Sequence, residues 1–180
     1  VNKSTANSVS APYSMFAQVN TNAGYYSSVG VYKMFSASGS YHIEFDLLVA
    51  VKSSLGGVEF ISLDFNPPSG YQKYGIAFGL HDGLYMMSHW STESGGAEAT
   101  SHADLTMSTS FAVWRKVEID VTLSSSGGMA TLKLDGQVAG QLPLLAAPPL
   151  GLRLNLGGSY VYDIDKNWQI YADNVIVDAK

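Results

Sequence analysis

From Tyr41 to Val51 the chain alternates without a break: Tyr41, Ile43, Phe45, Leu47, Val49 and Val51 are apolar, and His42, Glu44 and Asp46 lie between them. At 100° per residue these apolar positions would scatter around a helix; at 180° they form one face, which predicts a strand over Ser40–Lys52. Burying each large side chain stabilises by about 1.5–3 kcal/mol, so the core dictates the backbone here. Weaker versions of the pattern predict strands over Ala11–Asn20, Tyr25–Phe35, Val58–Asn66, Tyr74–His81 and Leu84–Trp90. They continue over Phe111–Leu123, Ala130–Leu134, Gln137–Leu142, Leu150–Leu156, Tyr160–Ile164 and Trp168–Asp178. Asp82-Gly83 and Asp135-Gly136 each sit between two such runs, a hairpin signal because a tight primed turn needs φ > 0 at both central residues. Gly157-Gly158 is expected to end a strand, Pro143–Pro149 to be a crossing connection and Ser91–Ser110 a long polar loop. No segment sustains apolarity at i, i+3, i+4 and i+7. About a dozen short strands with turn residues between them make an all-β protein, a sandwich or barrel.

The 180 residues suit one domain, taken as 1–180 with 1–10 frayed. Charged residues are only 14% of the chain, with many Gly, Ser, Thr and Tyr, so the outer faces of the sheets are expected to be hydroxylated rather than salt-bridged. A net charge of −5 without a basic cluster argues against nucleic acid and anionic membranes, which bind by releasing counterions to Lys and Arg. The lack of cysteine removes disulfides, thiolate metal sites and a thiol nucleophile. No apolar run is long enough for a membrane-spanning helix, and none at the start resembles a leader. The Ser/Thr/Asn-rich polar positions lean towards a secreted or cell-surface protein.

The order of motifs after Trp114 carries a resemblance. Trp114-Arg-Lys-Val-Glu-Ile-Asp-Val121 is followed by Met129-Ala-Thr-Leu-Lys-Leu-Asp-Gly136, Leu154-Asn-Leu-Gly-Gly158 and Tyr171-Ala-Asp-Asn-Val-Ile-Val-Asp178. This succession, with Tyr41–Val51 before it, resembles the concanavalin A-like, laminin-G-like jelly rolls. The resemblance implies an antiparallel jelly-roll β-sandwich of two sheets, one convex and one concave. Lectins, carbohydrate-binding modules, glycan hydrolases and lyases, and adhesion domains share that fold, so function must be sought in the site.

Catalytic versions of the fold leave marks that are incomplete here. The laminarinase-type strand reads E-x-D-x-x-E or E-x-D-x-E, with one carboxylate to attack and one to protonate. Glu118-Ile-Asp120 begins that motif, but Thr122 and Leu123 stand where the last acid belongs; Glu44-Phe-Asp46 is followed by Leu48 and Val49. Two polar residues on a solvated strand face explain both. The alginate-lyase pattern wants an Arg-rich strand and Gln-x-His, whereas this chain has only Arg115 and Arg153, and Gln169 leads to Tyr171. Asp163-Ile-Asp165-Lys-Asn167 has the oxygen spacing that opens calcium loops. The helical calcium hand is excluded, because Trp168 and Asn174 stand at its sixth and twelfth positions. The resemblance adds Asp173 on the terminal strand as a structural-calcium ligand, read as inward-facing with Val175 and Val177; the alternative partner for its carboxylate is backbone N–H.

Sugar recognition needs an aromatic face for stacking and amide or carboxyl groups for hydroxyls. Two places offer both: Asp82, Tyr85, His89 and Trp90 around the first hairpin, and Tyr160, Tyr162 and Trp168 beside Asp163 and Asp165. Aromatics are also ordinary strand formers that pack in cores, and Trp114 is assigned to the core outright. The expectation is a non-catalytic, lectin-like, glycan-binding domain, with structural calcium as the one cofactor. The alternatives are an adhesion or assembly domain binding a cell-surface protein, and a divergent polysaccharide-active enzyme.

Overall fold

The computed structural model describes residues 2–4, 9–10, 14–20, 27–51, 57–66, 74–81, 84–92, 98–105, 112–144, 149–162 and 167–180. Thirteen strands and no helix run through them. One sheet has seven strands, in the spatial order β1 (Asn2–Ser4), β2 (Ser14–Asn20), β13 (Asn167–Ala179), β4 (Ser40–Val51), β9 (Arg115–Thr122), β10 (Gly128–Leu134) and β11 (Gln137–Leu144). The other has six: β3 (Ser27–Ser38), β12 (Leu150–Tyr162), β5 (Gly57–Asn66), β6 (Tyr74–His81), β7 (Leu84–Thr92) and β8 (Glu98–Asp104). Neighbouring strands are antiparallel in both sheets. This is the jelly-roll sandwich that the alternation and the motif order predict.

The core lies between the sheets. Tyr41, Ile43, Phe45, Leu47 and Val49 of β4 enter it beside Val117, Ile119 and Val121 of β9, and meet Phe60, Ile61, Leu63 and Phe65 of β5 from the other side. Tyr41 is buried whole, and its hydroxyl reaches the Leu150 carbonyl at 2.5 Å and that of Ser36 at 2.7 Å, which satisfies its polar end. The hairpin of β10 and β11 turns on Asp135 and Gly136, both at positive φ (52° and 78°), as the Asp-Gly signal requires.

Four features depart from the sequence reading. First, the polar stretch after Trp90 is not all loop: β7 continues to Thr92 and β8 pairs with it as the sheet's edge. Second, Gly157 does not end its strand. It takes φ 129° where β12 presses on β3, and β12 runs on through a register shift to Tyr162. Third, the first ten residues are not simply frayed, because β1 pairs with β2. Fourth, β11 takes in Pro143, which an edge strand tolerates because its N–H need not join a ladder.

Candidate functional site

Each sheet also has an outer face, and the two are built differently. Cross-strand partners share a face, so register lines up rows across the six-stranded sheet. One row reads Tyr32, Asn155, Ser62, Ala77, Ser88 and His102 from β3 to β8. The next reads Met34, Arg153, Asp64, Gly75, Trp90 and Thr100. Beyond a register shift in β5 and β12, Tyr160, Glu59, Gly79, Met86 and Asp104 form a third. The intervening residues Ile61, Leu63, Ile76, Phe78 and Met87 belong to the core, which fixes the described side chains of these rows as outward.

The middle of this face is low and polar. Ser62 (5%), Ala77 (1%) and Ser88 (2%) are almost inaccessible although they point away from the core. Small side chains on three adjacent strands make a floor beside longer neighbours. On one side of it the Asn155 amide nitrogen donates to Ser62 Oγ and to Asp64 Oδ2, both at 2.9 Å. With both amide hydrogens engaged, the nitrogen end is fixed and the carbonyl end is the one presented. Beside it the Arg153 guanidinium lies 4.4 Å from the centre of the exposed Tyr32 ring, a cation–π contact at the β3 edge.

The seven-stranded face is a ladder of charge, which corrects the hydroxylated, unbridged face expected from the low charge content: its few ionic residues are gathered on neighbouring strands. Register sets Glu44 opposite Glu118 and His42 opposite Asp120. Lys116 pairs with Glu44, while Lys133 reaches Asp120 at 3.0 Å and Glu118 at 3.8 Å. His42 Nδ1 lies 2.7 Å from Asp120, and its Nε2 lies 3.8 Å from Glu44. Burial pushes the Asp120 carboxyl up, but hydrogen bonds to His42 and Lys133 outweigh it and hold the group below its ordinary value. Lys116 holds Glu44 down in the same way. Glu44 and Asp120 each belong to one of the two incomplete glucanase motifs, and a carboxylate kept ionised is a poor general acid.

Asp173 stands on this same side. Residues 168, 170 and 172 face the core, so Asp173 points outward. Asn174 at φ 51° then makes a bulge that reverses the alternation: Val177 packs against the core and Val175 is exposed. The inward face expected for Asp173, Val175 and Val177 together is therefore corrected. Asp173 Oδ2 accepts the backbone N–H groups of Val9 and Ser10, and Oδ1 accepts the Ser10 hydroxyl and the Asn174 N–H, all at 2.8 Å. Burial pushes this carboxyl up, and its hydrogen bonds, led by those from Ser10, bring it below its ordinary value. Of the two partners weighed for it, these oxygens hold the N–H groups, whose positive ends would oppose a cation at the same place.

No family model and no curated protein matches this chain. Solved structures do. An endo-β-1,4-glucuronan lyase from the fungus Trichoderma reesei superposes with a TM-score of 0.76 over 99% of this chain and 86% of its own, at 8% identity. A family 7 alginate lyase, A1-II′, solved with a GGMG substrate, gives 0.65 over 94% and 79%, at 13% identity. Sheep galectin-11 gives 0.56 over 82% and 96%, at 11% identity. The fold they share is the antiparallel jelly-roll sandwich. At these identities the likeness concerns backbone architecture, and the site of this jelly roll rests on its own residues.

Of the residues singled out from the sequence, the jelly roll withdraws Tyr85 and Trp168 into the core. The side chains of His89, Trp90, Tyr160 and Tyr162 lie outside the described residues; their strands, β7 and β12, belong to one six-stranded sheet. Tyr85 is 3% exposed and stacks on Phe78 at 5.4 Å, so its ring has no open face for a sugar. Burial raises its phenol, against the opposing charge of Arg115. Trp168 is 1% exposed and also belongs to the core, its Nε1 without a partner among the described residues. Trp114, assigned to the core, is half-buried and outside it. Asp82, Asp163 and Asp165 lie outside the described residues, among which no cluster of three metal-ligating side chains forms. The residues missed were Ser62, Asp64 and Asn155. Their signal was present: Ser62 and Asp64 interrupt Phe60-Ile61-Ser62-Leu63-Asp64-Phe65, and Asn155 stands between Leu154 and Leu156.

Proposed function

We propose that this jelly roll binds a glycan across the outer face of its six-stranded sheet and leaves it chemically unchanged. The observation that carries the reading is the Asn155 amide, held by Ser62 and Asp64 beside a floor of small residues. A pre-positioned amide and carboxylate meet sugar hydroxyls at little ordering cost. The exposed Tyr32 ring, in the same row as Asn155, supplies the stacking element the face needs. The glycan-directed names of the structural neighbours agree with it.

Chemistry on the glycan fits less well. Glu59 and Asp64 are five residues apart on β5, roughly 16 Å at the rise of a strand, whereas glycoside hydrolysis wants its carboxyls about 5–9.5 Å apart. Asn155 and His102 share a row but stand four strands apart, about 19 Å, too far to act on one sugar ring as charge acceptor and base.

The test is a glycan array read with and without calcium, for the wild-type protein and for Asn155→Ala, followed by sizing of the bound glycans. The expected result is binding that Asn155→Ala weakens and that returns the glycan intact. Binding to nothing in either state would sink the reading, and shortened products would make the protein an enzyme. A second reading, protein adhesion, is favoured by exposed Val31, Tyr32 and Met34 on edge strand β3. It predicts that Tyr32→Ser abolishes attachment to cells stripped of glycans.

A further inference from the structure

We infer that the glycan this face takes is uncharged, a neutral hydroxyl-rich polymer and not a polyuronate. The inference rests on the proposed function and goes beyond it, because it parts the chain from the lyases it superposes on, whose names refer to alginate and glucuronan, both polyanions.

The charge on the face decides the point. Among the described side chains of the three outward rows, Arg153 is the one cation, against the acids Asp64 and Glu59. The cation is not free to meet a carboxylate unopposed. Its guanidinium already lies over Tyr32 at the edge strand, and Asp64 is its direct cross-strand neighbour. A polyuronate laid across the rows would bring its carboxylates up to Asp64 and Glu59, and like charges brought together repel.

The groups that remain suit a neutral chain. Asn155 supplies an amide, and Asp64 already accepts from that amide and so is held to accept from sugar hydroxyls. Stacking on the exposed Tyr32 ring requires no charge on the sugar. The contrast with the other face sharpens this. The two lysines that answer acids in described ion pairs, Lys116 and Lys133, both stand on the seven-stranded side, turned away from the proposed site.

Isothermal titration of the wild-type protein decides it, with three probes of matched length: an uncharged β-glucan oligosaccharide, an uncharged β-mannan oligosaccharide and an oligoglucuronate. Each is measured at about 20 and about 300 mM salt, spanning strong and weak screening. The expected result is that at least one uncharged probe binds about tenfold or more tighter than the oligoglucuronate at low salt, with an affinity that hardly changes as salt rises. Tighter binding of the oligoglucuronate, weakening as salt rises, would overturn the inference while leaving glycan binding in place. Failure of all three probes, together with an empty glycan array, would overturn the proposed function and the inference with it.

Discussion

On the seven-stranded side, Lys116 and Lys133 stand among Glu44, Glu118 and Asp120, and His42 joins two of the acids. On the six-stranded side, Ser62, Ala77 and Ser88 lie sunk beside Asn155 and Asp64. Both faces are polar sides of sheets over one core. In the first, ionic side chains satisfy one another across strands, so little is left over for a partner. In the second, the polar groups are short, ordered by one amide, and present acceptors outward. Polarity alone therefore does not mark a site. What marks it is polar capacity that the protein positions but does not itself consume.

The comparison is best broken by substitutions that should respect it. Trp168→Ala, which empties a core position under both faces, is expected to lose about 3–5 kcal/mol in denaturant unfolding; a smaller loss, with glycan affinity gone, would return Trp168 to the binding role. Asp173→Asn swaps one accepting oxygen for a donor among four donors, and should lose about 2–4 kcal/mol with glycan affinity unchanged. Asn155→Ala should lose about 1–2 kcal/mol but weaken glycan binding by about tenfold or more, and equal glycan affinity in the two proteins would show that the amide is only structural.

Acid should act on the seven-stranded side. Asp173 and Asp120 sit below their ordinary value of 3.8, and Glu44 below 4.5. Below those ordinary values the unfolded chain takes up protons that the folded one refuses, so stability is fully present above them and falls as pH drops through the folded-state values. Unfolding midpoints measured from pH 6 down to about pH 2 should trace that loss, and Asp173→Asn should flatten it. The smallest effect is expected of Lys133→Ala: the pair partners of Lys133 are solvent-screened, so the midpoint should hardly move and glycan binding not at all. A lost affinity there would put the site on the wrong sheet.

Much of the fold was legible because the core writes itself in period two. The predicted Ser40–Lys52 became β4, and Tyr74–His81 became β6 with both ends in place. The misses have physical causes. β8 is an edge strand of polar residues, and an edge with little core behind it imposes no apolar alternation. The phase of β13 slips at Asn174, and a bulge is a backbone event that no single side chain announces. An acid in the terminal strand plainly needed a partner, but the partner came from Val9 and Ser10, more than 160 positions away in the chain. Aromatics misled most. A Tyr or Trp has the same side chain whether it fills a core, as Tyr85 and Trp168 do, or lines a surface.

Gly79, in the third row of the six-stranded face, bounds how such a surface can diverge. A Cβ there would lie 2.2 Å from the Val58 carbonyl oxygen and 2.8 Å from Glu59 Cα, where β5 shifts register against β6. No larger residue fits unless two backbones part. The depth of the face at this point is thus set by main chain, beyond the reach of ordinary substitution. New specificities would have to arise at the rim, at positions such as Arg153 and Tyr32, while the floor stays where it is.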